Sequence, residues 1–203
     1  MQEVEILIDF ENSKEEVLEI LSKFEFIKEK EIYDTYYEDE LRPNLHPEAN
    51  LRTNELFRVR RLGNDCLITY KKNHFKGNRW TYSDEYETKA ENYEVIEKII
   101  EMLGLKEQIV IHNKRKFYKY EDYEIVFEDV ENLGLFIEVE RVIKGNQEEC
   151  MKVKKDIRNF INSLGLKKPR ELDLGKNQLM LREKLKRYDI KIHCDEQVYI
   201  DVD

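Results

Sequence analysis

The chain has 203 residues, 40% hydrophobic and 39% charged, with 44 acidic against 35 basic side chains. No Pro/Gly/Ser-rich linker divides it, so one domain with a buried core is expected, and its net charge of −9 argues against general nucleic-acid binding. No apolar run reaches the length of about 18 residues that a membrane helix needs, and Cys66, Cys150 and Cys194 fit neither a disulfide framework nor a zinc site, which predicts a reduced, cytoplasmic protein.

Residues 2–9 alternate as a strand and open the chain directly, so no signal peptide is expected. Asn12 and Ser13 are helix-capping types, and Val17, Leu18, Leu21 and Phe24 predict a helix near 13–24. Residues 26–38 read as a strand. The stretch 39–54, with Pro43 and Pro47, reads as a long loop of the kind that often covers a site. Strands are predicted near 55–62 and 66–72 around the turn Gly63-Asn64-Asp65, and at 79–89. Val95, Ile96, Ile99, Ile100 and Leu103 mark a helix over 91–103, stopped by Gly104. Strands follow over 108–120, 123–130 and 135–143, then helices near 147–164 and 174–187. The tail 189–202 alternates and is expected to add strands. About eight strands joined mostly by tight turns predict an α+β fold with an antiparallel sheet. Closing that sheet into a barrel removes its edges and leaves room for one small ligand.

Four segments carry like charges two residues apart: Glu3/Glu5, Arg58/Arg60, Glu85/Glu87 and Glu138/Glu140. Residues i and i+2 of a strand share a face, so each pair sets two like charges side by side, which an ordinary sheet avoids. With Lys71 and Arg115 they predict a polar interior. Clustered carboxylates favour a hard divalent cation, Mg²⁺ or Mn²⁺. Arginine and lysine suit phosphate oxygens. His46, His74, His112 and His193 show no metal-ligand spacing and read as surface or strand residues. Tyr36, Tyr37, Tyr118 and Tyr120 read as sheet packing, and Lys152, Lys154 and Lys155 as surface charges on the late helix.

Seven segments in order carry a resemblance. They are Glu3-Val4-Glu5, Asp34-Thr35-Tyr36-Tyr37, Phe57-Arg58-Val59-Arg60, Leu67 to Lys71, Asp84-Glu85-Tyr86-Glu87, Asn113 to Tyr118, and Glu128 to Glu140. Together they resemble the CYTH superfamily of triphosphate tunnel metalloenzymes, over Glu3 to about Leu174. The resemblance implies a closed eight-stranded antiparallel tunnel with flanking helices. It implies a single CYTH-like domain over 1–203, with its core in 1–174 and an extension in 175–203. Glu3, Glu5, Glu128, Glu138 and Glu140 would be metal ligands for Mg²⁺ or Mn²⁺. Arg58, Arg60, Lys71, Arg115, Glu85 and Glu87 would form the substrate site, with Glu3, Glu5 and Arg115 central to catalysis. The order of motifs is most similar to class IV adenylate cyclase, which converts ATP to cyclic AMP and pyrophosphate. A thiamine or inorganic triphosphatase, or a non-catalytic binder of a phosphorylated ligand, stays open. The implied partner is a nucleotide or other triphosphate, with no nucleic acid and no membrane; a homodimer is compatible with the sequence. The chain departs from the family pattern where it carries Leu7 and Asn113 in place of lysines, and Glu171-Leu172 in place of a Ser-Tyr pair.

Overall fold

The computed structural model describes residues 2–77 and 79–187. In chain order the elements are β1 (Gln2–Asp9), α1 (Lys14–Leu21), β2 (Glu25–Glu38), β3 (Glu55–Leu62), β4 (Asp65–Lys76), β5 (Arg79–Ala90), α2 (Tyr93–Met102), β6 (Lys106–Tyr120), β7 (Tyr123–Val130), β8 (Gly134–Ile143), α3 (Gln147–Ser163), β9 (Arg170–Glu171) and α4 (Lys176–Arg187). The expected strands and helices are present. β4 runs four residues further than its apolar pattern, because Asn73, His74 and Phe75 stay paired with β5. The two-residue β9 was not foreseen; it is too short to leave a period in the sequence. The expected strands in the tail lie outside the described residues.

The strands pair antiparallel in the order β5-β4-β3-β2-β6-β7-β8-β1, and β5 also pairs with β1 through Gln2↔Asp84 and Glu3↔Ser83. That last contact closes the sheet into an eight-stranded barrel, and the fold is α+β. Register explains why the inside is charged. Leu7 lies opposite Glu138 and Glu5 opposite Glu140, while Arg58 lies opposite Thr69 and Arg115 opposite Glu128.

The main apolar core lies between barrel and helices, not inside the barrel. Val4 and Ile8 on β1, Ile125 and Phe127 on β7, and Ile137 and Val139 on β8 pack under Val17 and Leu21 of α1 and Ile157 and Ile161 of α3. Burying each such side chain stabilises by about 1.5–3 kcal/mol. α1 begins with a reciprocal cap, in which Ser13 accepts from the Glu16 backbone N–H and Glu16 accepts from the Ser13 backbone N–H. α2 covers the outer face of β3–β5 through Ile96 and Ile100 against Val59, Cys66 and Ile68. α4 follows β9 across one end of the barrel, where Leu172, Leu179 and Met180 meet Leu7, Tyr36, Ile109 and Ile111. No helix of the described residues is long and apolar enough to cross a membrane.

The loop 39–54 holds one short 3₁₀ turn, Pro43–Leu45. It is tied to α4 and to the connection before it: Gln178 of α4 donates to the Leu51 carbonyl at 3.0 Å, and Arg52 pairs with Asp173, between β9 and α4, at 3.3 Å.

Candidate functional site

A cavity of about 340 Å³ runs through the barrel, and nine acidic and nine basic side chains line it among the described residues. All eight members of the four like-charge pairs are among them, as are Lys71 and Arg115. Strand alternation put them there: on β6, Ile109, Ile111, Asn113, Arg115 and Phe117 are buried while Lys114 is exposed.

Glu3, Glu5 and Glu140 come together, with one oxygen of each lying within 4.8 Å of the others. Burial pushes the Glu5 carboxyl up to about 7 despite the attraction of Lys71, with repulsion from Glu138 and Glu3 adding to it. Burial raises Glu140 well above the carboxylate range, and Glu3, Glu138 and Glu5 push it further. Burial also raises Glu3, against the pull of Lys71. Three hard oxygen donors held in mutual repulsion fit a divalent cation, which would relieve that repulsion.

Lys71 stands next to this group, 2.5 Å from Glu3, 3.0 Å from Glu85 and 3.8 Å from Glu5. Arg58 donates to Thr69 at 3.1 Å and lies 3.6 Å from Glu87 and 4.0 Å from Glu85. Arg115 pairs with Glu128 at 2.8 Å. Both arginines are buried, and the Nε–H of each has no acceptor among the described residues. A buried donor left unpaired costs about 1–3 kcal/mol, so two of them in one cavity fit an anion placed between them. Arg60 is less available. Its fork grips Asp34 through bonds of 2.7 and 2.8 Å. Asp34 stays far below the usual carboxylate range; burial opposes this, and Arg58 and Arg60 outweigh it.

Glu128 and Glu138 are held differently from Glu3, Glu5 and Glu140. Lys176, from the first turn of α4, lies 2.7 Å from Glu128 and 2.5 Å from Glu138. Burial opposes ionisation of Glu138, but Lys176 and Arg115 lower its pKa to about 2. Lys176 was not singled out in the sequence. Its one signal is weak: Lys176 shares a helix face with Leu179 and Met180, which pack on the barrel. It brings a cation to the level of Leu7, whose neighbour across the strands is Glu138. Asn113 is 2% exposed and neither atom of its amide has a partner among the described residues. Glu171 receives both arms of the Arg158 fork at 2.6 and 3.0 Å, so it serves an ion pair with α3.

Lys154 corrects the sequence reading. Lys152 and Lys155 are exposed as expected, but Lys154 is 5% exposed and lines the tunnel. It donates to the Trp80 carbonyl at 2.9 Å and sits 3.9 Å from the centre of the Trp80 ring. Burial lowers its pKa to about 8, against the pull of Glu171. The missed signal is its spacing, because Cys150, Lys154, Ile157 and Ile161 form one buried helix face. Tyr36, Tyr37 and Tyr118 pack in the sheet as expected, and Tyr120 stacks on Phe160. His74 and His112 lie on strands and His46 follows the 3₁₀ turn, while His193 and Cys194 lie outside the described residues.

Comparison with known proteins agrees with this architecture. The CYTH domain family model matches residues 1–173, ending just before α4. The chain is 34% identical over 170 residues to a Methanocaldococcus jannaschii protein named "Putative adenylate cyclase MJ0240", covering 83% of this chain and 92% of that one. The PH1819 protein of Pyrococcus horikoshii OT3 superposes with a TM-score of 0.73 at 25% identity, over 89% of this chain and 99% of that one. HpAC1 of Hippeastrum superposes with a TM-score of 0.55 at 13% identity, over 91% and 96%, and shows a shared fold alone. Matched by the family model along most of its length, and by a relative across nearly the same span, the chain belongs to the CYTH domain family.

Proposed function

We propose that the tunnel binds a nucleoside triphosphate with a divalent cation and converts ATP to cyclic AMP and pyrophosphate, as a class IV adenylate cyclase does. One observation carries this reading. Two buried arginines whose Nε–H groups find no acceptor among the described residues, Arg58 and Arg115, share a cavity with three carboxylates drawn together at Glu3, Glu5 and Glu140. The name of the M. jannaschii relative supports the choice of reaction.

Glu3, Glu5 and Glu140 would hold Mg²⁺ or Mn²⁺. When bound, such an ion supplies a Lewis acid that offsets phosphate charge and acidifies an oxygen attached to it. Arg58, Arg115 and Lys71 would hold the phosphate oxygens by charge-assisted hydrogen bonds. Arg60, clamped by Asp34, would set the position of that aspartate beside Arg58. Arg58, Arg115 and Glu138 are buried in the barrel wall, where the lower dielectric strengthens each charged contact.

The same charges suit attack by water on a terminal phosphate, so triphosphatase chemistry is the second reading. HpAC1, which shares the fold, is described as having a dominant triphosphatase activity. Incubation with ATP and with tripolyphosphate, plus Mg²⁺ or Mn²⁺, separates the readings. Cyclic AMP with pyrophosphate is expected. Orthophosphate without cyclic AMP, released with ADP from ATP or with pyrophosphate from tripolyphosphate, identifies a triphosphatase. Tight binding without product identifies a non-catalytic binder, the outcome that Leu7 and Asn113 would favour.

A further inference from the structure

A bulge re-aims one side chain into the tunnel. On β5, Ser83, Glu85 and Glu87 line the cavity, so simple alternation would set Thr81 beside them and turn Trp80 outward. The pairing of β4 with β5 slips at this point. His74 lies opposite Tyr82 but Phe75 lies opposite Trp80, which leaves Thr81 as an extra residue. The Thr81 hydroxyl donates to the His74 carbonyl at 2.7 Å and pins the slip. Trp80 therefore faces inward with Phe75, and both half-buried rings line the cavity at the end of the barrel where β4 turns into β5. Each ring carries a cation: the Lys154 ammonium lies 3.9 Å from the centre of Trp80, and the Arg52 guanidinium 5.7 Å from that of Phe75. A chain of hydrogen bonds crosses this mouth. The Trp80 indole N–H donates to Ser83 at 3.2 Å, Ser83 donates to Asn73 at 2.7 Å, and Asn73 donates to the Thr53 carbonyl at 2.8 Å. Thr53 is 3% exposed and lines the same cavity, and its hydroxyl has no partner among the described residues.

We infer that this mouth holds the nucleoside of the triphosphate, with the planar base stacked on Trp80 and Phe75 and a polar edge of the nucleoside bonded to the Thr53 hydroxyl. The inference rests on the triphosphate reading of the tunnel and deepens it, because inorganic tripolyphosphate has nothing to place here. Aromatic side chains accept the face of any base. A buried hydroxyl without a partner is costly, and a ligand that brings a donor or an acceptor removes the cost. The spacing fits. Phe75 lies four residues beyond Lys71 on β4, about 13 Å along the strand at about 3.3 Å per residue, which leaves room for a ribose between the phosphate-holding lysine and the rings. The tunnel is also polar along its length. β2 and β4 run the same way round the barrel, since each pairs antiparallel with β3. Lys28 and Lys30, near the start of β2, therefore line the opposite end. The ring there, Phe117, is packed with Ile32 and Val126. That end suits phosphate, so the base lies at the turn between β4 and β5 and the terminal phosphate points towards the start of β2.

Trp80 is the one tryptophan of the chain, so its emission reports on this mouth directly. A non-hydrolysable ATP analogue and tripolyphosphate, each with Mg²⁺, are titrated into the full chain and followed by calorimetry and by Trp80 emission excited beyond the purine band. Both ligands are expected to bind, and the analogue alone to quench Trp80 strongly. Trp80→Leu should weaken the analogue about tenfold or more and leave tripolyphosphate within about twofold. Thr53→Val should weaken the analogue about fivefold and leave the melting temperature at or above that of wild type, since it removes a buried hydroxyl that has no partner. Equal losses for both ligands in Trp80→Leu would assign the ring to the barrel alone and overturn the inference. So would an analogue that binds without quenching Trp80. Tripolyphosphate binding without analogue binding would overturn the inference and leave the triphosphate tunnel standing, while binding of neither ligand would remove both.

Discussion

At the scale of single residues, charge spacing was the readable part of the site. Glu3/Glu5, Arg58/Arg60, Glu85/Glu87 and Glu138/Glu140 were visible because a strand's alternation turns sequence spacing directly into a shared face, and all eight reach the tunnel. Whether a charge is free or already paired is set by neighbours far along the chain. Asp34 binds Arg60 across β2 and β3, and nothing local in the sequence announces it. Availability orders the predicted effects. Arg58→Met and Arg115→Met should each weaken tripolyphosphate binding by calorimetry about ten- to a hundredfold, the value of one or two charge-assisted bonds of about 1.5–3 kcal/mol. Unchanged affinity in both variants would remove them from the site. Lys154 offers a pH test. Its amine titrates near 8 in the fold, because burial disfavours the charge, against 10.5 when free. Between those values the unfolded chain holds a proton that the folded chain lacks, so this residue makes stability rise as pH rises. Wild type should gain about 2–3 kcal/mol relative to Lys154→Met between pH 8 and 10.5 in chemical denaturation. Parallel stability curves for the two proteins would show that Lys154 keeps its ordinary pKa.

At the scale of elements, the sequence located nearly every strand and helix but not what α4 does. Amphipathic period shows which face of a helix is apolar; it does not show where a lysine in the first turn will point. Lys176 enters the tunnel because β9 and the Leu172 contact carry the chain across the barrel end. There it satisfies Glu128, which is fully buried, and Glu138. Removing one partner of a buried ion pair leaves an uncompensated charge. Lys176→Met should therefore destabilise the fold by about 3–5 kcal/mol in urea unfolding at pH 7, and Lys176→Arg by much less. A loss below about 1 kcal/mol would mean that α4 is not held by this lysine. The same geometry bears on Leu7. Because Lys176 already brings a cation to Glu138, opposite Leu7, a second one adds little. Leu7→Lys should change tripolyphosphate affinity by less than about fivefold and lower the melting temperature, since Leu7 packs against Tyr36 and Leu172. A gain of about fiftyfold would show that the tunnel lacks a charge there.

At the scale of the whole molecule, the barrel reverses the usual division between apolar inside and polar outside. Its apolar side faces the helices, and its charged side faces a tunnel in which cations and carboxylates are nearly balanced. Buried charges persist only when paired or when they bind a ligand. Most are paired within the protein, through Asp34 with Arg60, Lys71 with Glu3, and Lys176 with Glu128. Left unsatisfied among the described residues are the repulsion of Glu140 by Glu3, Glu138 and Glu5, the Asn113 amide and the two arginine Nε–H groups. The central claim is that a metal settles the carboxylate repulsion and a triphosphate the arginine groups. A crystal grown with Mn²⁺ and a non-hydrolysable ATP analogue, with data collected to locate manganese by anomalous scattering, tests both together. The account predicts an anomalous peak coordinated by Glu3, Glu5 and Glu140, with phosphate oxygens on Arg58 and Arg115. Manganese bound elsewhere, or phosphates seated outside the barrel, would contradict it.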